Sequence, residues 1–205
     1  EKVVLGVESA LKTDLQDADG APHTLADIPP SHRYNELDFD LPVAGGPAVV
    51  DAAAIARVFA EHARAEVPAE YAARLKALRF VPLRGFLTGS IDLVYWHEGR
   101  FYVADHKSNF LGTHAADYPH EAMSEAMQHH HYLLQSHLYT VALHRYLQWR
   151  LGPDVYDYDT HVGGVRYLLV RGMVGPGEHG VFRDRPPAAM IRALDRVIAG
   201  EGGGR

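Results

Sequence analysis

Acidic and apolar residues alternate along residues 35–43, which read NELDFDLPV. A period of two predicts a strand with one buried face and one solvated face, and the solvated face carries Glu36, Asp38 and Asp40. Two further β-rich segments, 85–96 and 101–107, lie on either side of His97-Glu98-Gly99-Arg100 and predict a β-hairpin. The apolar run at 165–171 has the length of one more strand.

Helical spacing of apolar residues marks most of the remaining chain. The predicted helices are 1–13, 51–67 with Asp51 as N-cap, 71–78, a long one over 119–151 with Trp149 on its apolar face, and 187–198. The order of strand, hairpin, long helix, strand and helix predicts an α/β fold with a mixed central sheet flanked by helices.

The length of 205 residues suits one domain. We expect residues 1–33 to form a partial helix and a loop, 34–200 the core, and 201–205 a flexible tail. The chain starts at Glu1 in what reads as mid-helix, so we expect it to be a piece of a longer protein.

Composition narrows the chemistry. The absence of cysteine excludes disulfides, thiol nucleophiles and Cys-ligated metals, so any metal is held by oxygen or imidazole. No run has the roughly 18 apolar residues of a membrane span and no signal sequence is present, which predicts a cytoplasmic protein without membrane contact. A net charge of −6 is unlike that of a self-sufficient nucleic-acid binder.

The hairpin register brings three charged residues together. A two-residue turn at Glu98-Gly99 pairs residues whose numbers sum to 197, which places Asp92 opposite Asp105. Opposed carboxylates in an antiparallel pair repel each other unless a cation neutralises them. Alternation puts Lys107 on the face of Asp105.

Two carboxylates and an ammonium suit metal-assisted phosphodiester hydrolysis. Hard oxygen ligands favour Mg²⁺ or Mn²⁺, which lowers the pKa of a bound water, while the cation offsets charge on phosphate oxygens. The competing interpretation is an ordinary solvated ion pair. The opposed Asp92 favours a site, because the two strands are otherwise apolar.

Two further groups of helix residues are candidate sites. Gln135 and Tyr139 lie one turn apart and can touch a substrate or Lys107, although a half-buried helix edge explains them equally well. His130, His137 and His144 are seven residues apart, about 10.5 Å per step, too far to share a metal, and predict a solvated helix face.

The segments GFLTGSIDLV, DHKSNFLG, LLQSHLYTVALHRYL and GGVRYLLVRGM together resemble the nuclease domains of RecB-type helicase-nuclease subunits, a family of the PD-(D/E)XK superfamily. The resemblance runs from about Glu36 to near Gly200. It implies a restriction-endonuclease-like fold and a Mg²⁺-dependent deoxyribonuclease (Mn²⁺ possible) of the exodeoxyribonuclease V type. The implied partners are DNA and the gamma and alpha subunits of a complex that processes double-strand breaks.

The resemblance also implies residue roles. Asp92 and Asp105 match the metal ligands, Lys107 the catalytic lysine, and Gln135 with Tyr139 the helix motif beside the active site. The family's further metal-ligating His, on an upstream helix, has no counterpart here, so we expect the chain alone to fold but to cut DNA poorly. The alternatives are an inactive nuclease-fold module that is structural or guides DNA, and a different PD-(D/E)XK nuclease.

Overall fold

The computed structural model describes residues 2–43, 50–78, 85–175, 177 and 179–201. In these ranges the strands are β1 (Arg33–Val43), β2 (Gly85–His97), β3 (Arg100–Lys107), β4 (Val162–Leu169) and β5 (Val181–Asp184). The helices are α1 (Lys2–Leu11), α2 (Ala52–Glu61), α3 (Ala69–Lys76), α4 (His120–His129), α5 (Tyr132–Leu151), α6 (Tyr158–His161) and α7 (Ala188–Ile198). No helix in the described ranges is both long and apolar enough to cross a membrane.

The five strands form one mixed sheet in the order β1-β2-β3-β4-β5. Neighbours are antiparallel except β3 and β4, which are parallel. A parallel pair needs a long crossover, and α4, α5 and α6 lie in the chain between these two strands. The predicted α/β fold with a mixed sheet and flanking helices is confirmed.

The β2–β3 hairpin has the predicted register. Trp96 pairs with Phe101, and the ladder continues to the pair of Leu93 with Ala104. The turn residues Glu98 and Gly99 have φ angles of 45° and 79°. Two consecutive left-handed residues belong to the tight turn whose twist matches that of antiparallel strands.

The sheet is covered on both faces. The helices pack on one face around a large core that includes Val103, Val165 and Leu143. The other face packs against the segment between α1 and β1 through Leu15 and Ile28. Every residue of β4 is buried because this strand lies under both layers, which explains why its sequence carries no charged residue other than Arg166.

Two arginines attach that N-terminal segment to the sheet. Arg166 and Arg183 both donate from Nε to the carbonyl oxygen of Leu15, at 2.9 Å. Arg166 is only 3% exposed. Burial lowers the pKa of its guanidinium, so the carbonyl contacts offset part of the cost of removing the charge from water.

The predicted long helix over 119–151 is wrong, because the helix breaks between α4 and α5. His131 has a left-handed backbone, with φ of 56°. The hydroxyl of Tyr71 lies 3.3 Å from Nδ1 of His131 and accepts a hydrogen bond from the Leu134 N–H at 3.2 Å. The side chain of a distant helix therefore caps α5, which local sequence periodicity cannot show.

The predicted solvated histidine face is also wrong for two of its three members. His137 is fully buried, and its Nδ1 lies 2.6 Å from the Leu133 carbonyl oxygen. His144 is 6% exposed, with Nδ1 2.7 Å from the Tyr156 hydroxyl. Both turn inward because α5 is covered by other helices, whereas Trp149, predicted on its apolar face, is 75% exposed.

Other differences concern element ends. Asp51 caps α2 as predicted, by accepting from the Ala54 N–H at 2.8 Å, but the helix ends at Glu61 instead of 67. Arg64 and Val67 form an isolated bridge there. The four-residue β5 was not predicted, since so short a strand carries too little periodicity to be detected.

Because His137 is buried, we expect it to make stability depend on pH. Burial lowers its pKa from 6.5 to about 4, so between these values the unfolded chain binds a proton that the folded chain does not. This contribution is complete above pH 6.5 and is lost as pH falls, by about 2 kcal/mol from pH 7 to pH 5. Urea denaturation at pH 7 and at pH 5 measures the free energy of unfolding. Between these two pH values it should fall by about 2 kcal/mol less in His137→Gln than in the wild type.

The matched control is His130→Gln, at an exposed position three residues before Leu133. It should keep the pH dependence of the wild type. Equal pH dependence in the wild type and His137→Gln would contradict the assignment.

The cap on α5 gives a second stability prediction. Tyr71→Phe removes the acceptor of the Leu134 N–H while keeping the buried ring. We expect a loss of about 1–2 kcal/mol in the free energy of unfolding, because a helix N–H is left without a partner. Urea denaturation measures it, with Tyr146→Phe on the exposed side of α5 as the control. A loss no larger than that of the control would show that the hydroxyl does not stabilise the helix start.

Candidate active site

Asp105 and Lys107 form an ion pair at the end of β3. Lys107 Nζ lies 2.5 Å from Asp105 Oδ2, and the two side chains are 13% and 3% exposed. Their separation of two residues puts both on the same face of the strand, as predicted from alternation. This face is the one covered by α5, so the pair is enclosed between the sheet and the helix.

Asp92 lies beside this pair on β2. Its Oδ2 accepts a hydrogen bond from the His106 N–H at 2.9 Å and lies 3.4 Å from Nδ1 of His106. The side chain of Asp92 is 43% exposed, so one carboxylate of the site faces solvent while the other is buried. The regular β2–β3 ladder ends one pair before Asp92 and Asp105, at Leu93 and Ala104.

The strand changes phase at Asp92. Ile91 and Val94 belong to the same helix-side core although they are three residues apart, whereas regular alternation requires an even separation. The β1–β2 pairing goes from Asn35 with Leu93 to Leu37 with Ile91, so Glu36 and Asp92 lie between these two pairs, and Glu36 has a left-handed φ of 54°. The site therefore lies at a local irregularity shared by two neighbouring strands.

The charges at Asp105 are unevenly balanced. Burial raises the pKa of its carboxyl group, the nearby Lys107 lowers it, and the like charge of Asp92 raises it, with a net upward shift. Asp105 Oδ2 is in direct, charge-assisted contact with the Lys107 ammonium, which is what lowers the pKa of the carboxyl group. Burial and the second carboxylate still disfavour the ionised form of Asp105, and a bound cation would offset both effects.

Gln135 and Tyr139 on α5 point into this site; their spacing predicted that they face the same way and left open whether they contact Lys107. Lys107 Nζ donates to Gln135 Oε1 at 2.9 Å, and Gln135 Nε2 donates to the Tyr139 hydroxyl at 2.9 Å. Burial and the charges of Asp105 and Asp92 raise the pKa of Tyr139 to about 12, so this hydroxyl stays protonated.

The structure adds two residues that the sequence analysis missed. The Tyr167 hydroxyl donates to Gln135 Oε1 at 3.1 Å, and its position on β4 is in register with Asp105. Finding it required the parallel pairing of β3 with β4, whose first residues, Arg100 and Val162, are 62 residues apart in the chain. Sequence periodicity carries no signal for a pairing over that distance. His106, which contacts Asp92, stands inside the Asp-x-Lys segment itself.

The donor set fits a hard divalent cation, with Asp92 and Asp105 as carboxylate ligands. No group of three or more acidic or histidine side chains suited to a metal occurs in the described part of the chain. Two histidines of the segment before β1 have contacts of their own. His23 is buried against Tyr95 on the opposite face of the sheet, and His32 packs on the edge of Trp96.

Comparison with known proteins agrees with this geometry. The family model of the PD-(D/E)XK nuclease superfamily matches residues 21–200 of this sequence. The chain belongs to this superfamily. Members of this superfamily generally use divalent metal ions.

Similar proteins include three named RecBCD enzyme subunit RecB. The protein of Mycolicibacterium smegmatis is 43% identical over 197 residues, which cover 87% of this chain and 18% of the relative. The protein of Escherichia coli is 49% identical over 126 residues, which cover 60% of this chain and 10% of the relative. The protein of Mycobacterium tuberculosis H37Rv is 42% identical over 191 residues, which cover 85% of this chain and 17% of the relative. This PD-(D/E)XK chain thus spans less than a fifth of the length of these relatives.

Proposed function

We propose that this chain is the nuclease module of a RecBCD-type helicase-nuclease and hydrolyses phosphodiester bonds of DNA with Mg²⁺, or with Mn²⁺ in its place. The observation that carries the proposal is the buried pair of Asp105 and Lys107 with Asp92 beside it. A scaffold has no need of a carboxylate whose pKa is raised by burial and by a second carboxylate, whereas a site for a cation does.

Asp92 and Asp105 would hold the metal. A bound divalent cation supplies a water of lowered pKa and neutralises charge on the phosphate. The protein's part is to hold the two carboxylates in place: the His106 N–H fixes Asp92, and Lys107 fixes Asp105.

Lys107 acts as the catalytic lysine in this proposal. Its ammonium is held 2.9 Å from Gln135 Oε1, so it faces the carboxylates in one defined position. A fixed positive charge next to a phosphate oxygen stabilises the additional negative charge of the transition state, and it requires no reorganisation during the reaction.

Gln135 and Tyr139 are proposed as the substrate-side residues of α5. Gln135 joins the helix to Lys107, and Tyr139 orients the Gln135 amide by accepting from Nε2. These contacts support a role in which both residues align the lysine with the substrate phosphate.

The proposed partners follow from charge and from the relatives. A net charge of −6 gives the chain little attraction for DNA, so we infer that motor and companion subunits, the gamma and alpha subunits of the complex, deliver the strand in the cytoplasm during double-strand break repair. The relatives' names describe them as subunits of the RecBCD enzyme.

Metal binding is the first test of the site. Millimolar Mg²⁺ or Mn²⁺ should raise the melting temperature of the wild type, because a ligand that binds the folded state stabilises it. Asp92→Asn should abolish that shift and melt no lower than the wild type in EDTA, since it removes a like charge next to Asp105. Calorimetry and thermal melts measure both effects.

Asp38→Asn is the control, because Asp38 is an exposed acid on β1 that pairs with Ser90. It should keep the metal-induced shift. An equal shift in Asp92→Asn would contradict the assignment of this ligand.

Cleavage of labelled single-stranded DNA tests the activity. We expect the chain to cut slowly and only with metal, and Asp105→Asn to abolish cutting. Lys107→Ala should lower the rate on the order of 100-fold with metal binding unchanged, because one fixed electrostatic partner is lost. Lys107→Arg should recover little of the wild-type cleavage rate, because a planar guanidinium does not place its charge at the same point.

Wild-type activity in Lys107→Arg would remove the lysine from the reaction. If a protein extended upstream through the helix that carries the family's metal-ligating His is also as inactive as Asp105→Asn at every metal concentration, the inactive nuclease-fold module is favoured.

A further inference from the structure

The ammonium of Lys107 also faces two aromatic rings. Its Nζ lies 4.2 Å from the ring centroid of Tyr132 and 5.3 Å from that of Tyr167. Both distances are within the range of cation–π attraction, in which the negative face of an aromatic ring attracts a cation. With Asp105 and Gln135, the rings complete a set of four partners around one ammonium.

Each ring is held by contacts outside the ion pair. Tyr167 is fully buried on β4, and its hydroxyl donates to Gln135 Oε1. Tyr132 is the first residue of α5, and its hydroxyl donates to Asn109 Oδ1 at 3.2 Å. The His130 ring stacks on Tyr132 at 5.3 Å. Each ring therefore has a contact other than that with the lysine, although Tyr167 shares Gln135 Oε1 with it.

The helix break sets the position of Tyr132. His131 adopts a left-handed backbone, and α5 starts at the next residue. A continuous helix through this point would turn Tyr132 to a different direction. The break, which local periodicity did not predict, thus has a consequence at the site.

A lysine side chain needs such restraint. Its four-carbon stem is flexible, and ordering it costs up to about 2 kcal/mol of rotamer entropy. Lys107 is nonetheless 13% exposed and held at both Asp105 and Gln135. The two rings limit the freedom of the stem, and their negative faces attract the ammonium towards one position.

We propose that Tyr132 and Tyr167 are positioning residues that form an aromatic cage around the Lys107 ammonium and hold it at the carboxylates. The effect of the cage on catalysis rests on the proposed nuclease function. Its effect on the position of Lys107 does not, and can be measured without metal or DNA.

Lysine acetylation provides that measurement, because the chain has only four lysines, Lys2, Lys12, Lys76 and Lys107. Mass spectrometry after limited reaction with an acetylating reagent, in EDTA, gives the rate at each one. We expect Lys107 to react much more slowly than the exposed Lys12 and Lys76, which serve as internal references.

Tyr132→Leu should raise the acetylation rate of Lys107 on the order of 10-fold and leave Lys12 and Lys76 unchanged, because one face of the cage is opened. Tyr132→Phe keeps the ring and should retain most of the protection. Replacing Tyr132 by 3,4,5-trifluorophenylalanine keeps the shape but weakens the negative face of the ring, so an intermediate rate is expected. Tyr146→Leu, on the same helix but away from the site, should match the wild type.

The kinetic consequence is measured on single-stranded DNA. Tyr132→Leu should lower kcat on the order of 10-fold with KM changed less than about threefold, because alignment of the lysine and not substrate capture is impaired. The variant with 3,4,5-trifluorophenylalanine in place of Tyr132 should show a smaller fall in kcat than Tyr132→Leu.

The outcomes separate the two proposals. If Tyr132→Leu leaves the acetylation of Lys107 unchanged, or if Tyr132→Phe loses as much protection as Tyr132→Leu, the cage is wrong whatever the activity. If acetylation rises as expected but no variant, including the wild type, cuts DNA, the cage stands and the nuclease function fails. A fall in kcat equal for Tyr132→Leu and Tyr146→Leu would refute the specific effect on catalysis.

Discussion

Lys107 and Asp105 place opposite charges 2.5 Å apart at a position where both side chains are largely withdrawn from water. Removing two charges from water costs several kcal/mol for each ion, and the attraction between them offsets that cost only when the geometry is good and neighbouring polar groups assist. The pair therefore depends on the elements around it. The raised pKa of Asp105 shows that its burial is incompletely compensated by the chain itself.

Two neighbouring elements supply that assistance, and a third, β2, opposes it. α5 contributes Gln135, which accepts from Lys107, and β4 contributes Tyr167, which donates to the same amide oxygen. β2 contributes Asp92, whose like charge opposes ionisation of Asp105. An arrangement that stays electrostatically unfavourable without a cation exchanges stability for function, and such strain is typical of binding sites.

The parts of the fold remote from the pair keep these elements in register. The parallel pairing of β3 and β4 aligns Asp105 with Tyr167, and the crossover that this pairing requires carries α5 over the site. The Tyr71 hydroxyl stabilises the start of α5, directly next to Tyr132. On the opposite face, Arg166 and Arg183 bind the N-terminal segment, which keeps β4 buried on both sides.

The sequence by itself determined the local features of this protein. Strict alternation located β1, and the turn at Glu98-Gly99 fixed the register of the hairpin, since side-chain period and turn type are properties of neighbouring residues. Continued one pair beyond the ladder, the same register predicted Asp92 opposite Asp105; the regular pairing ends before them, and the charge of Asp92 acts on Asp105. The Gln-x-x-x-Tyr spacing placed two polar groups on one side of a helix.

Only the tertiary structure decided the break at His131, the burial of His137 and the rings that face Lys107. Each depends on a contact between distant segments: Tyr71 with the start of α5, Asp184 and Arg64 around His137, and β4 beside β3. Such contacts form because the sheet and the helices bury their apolar faces together, and a periodic pattern states which face is buried but not what covers it.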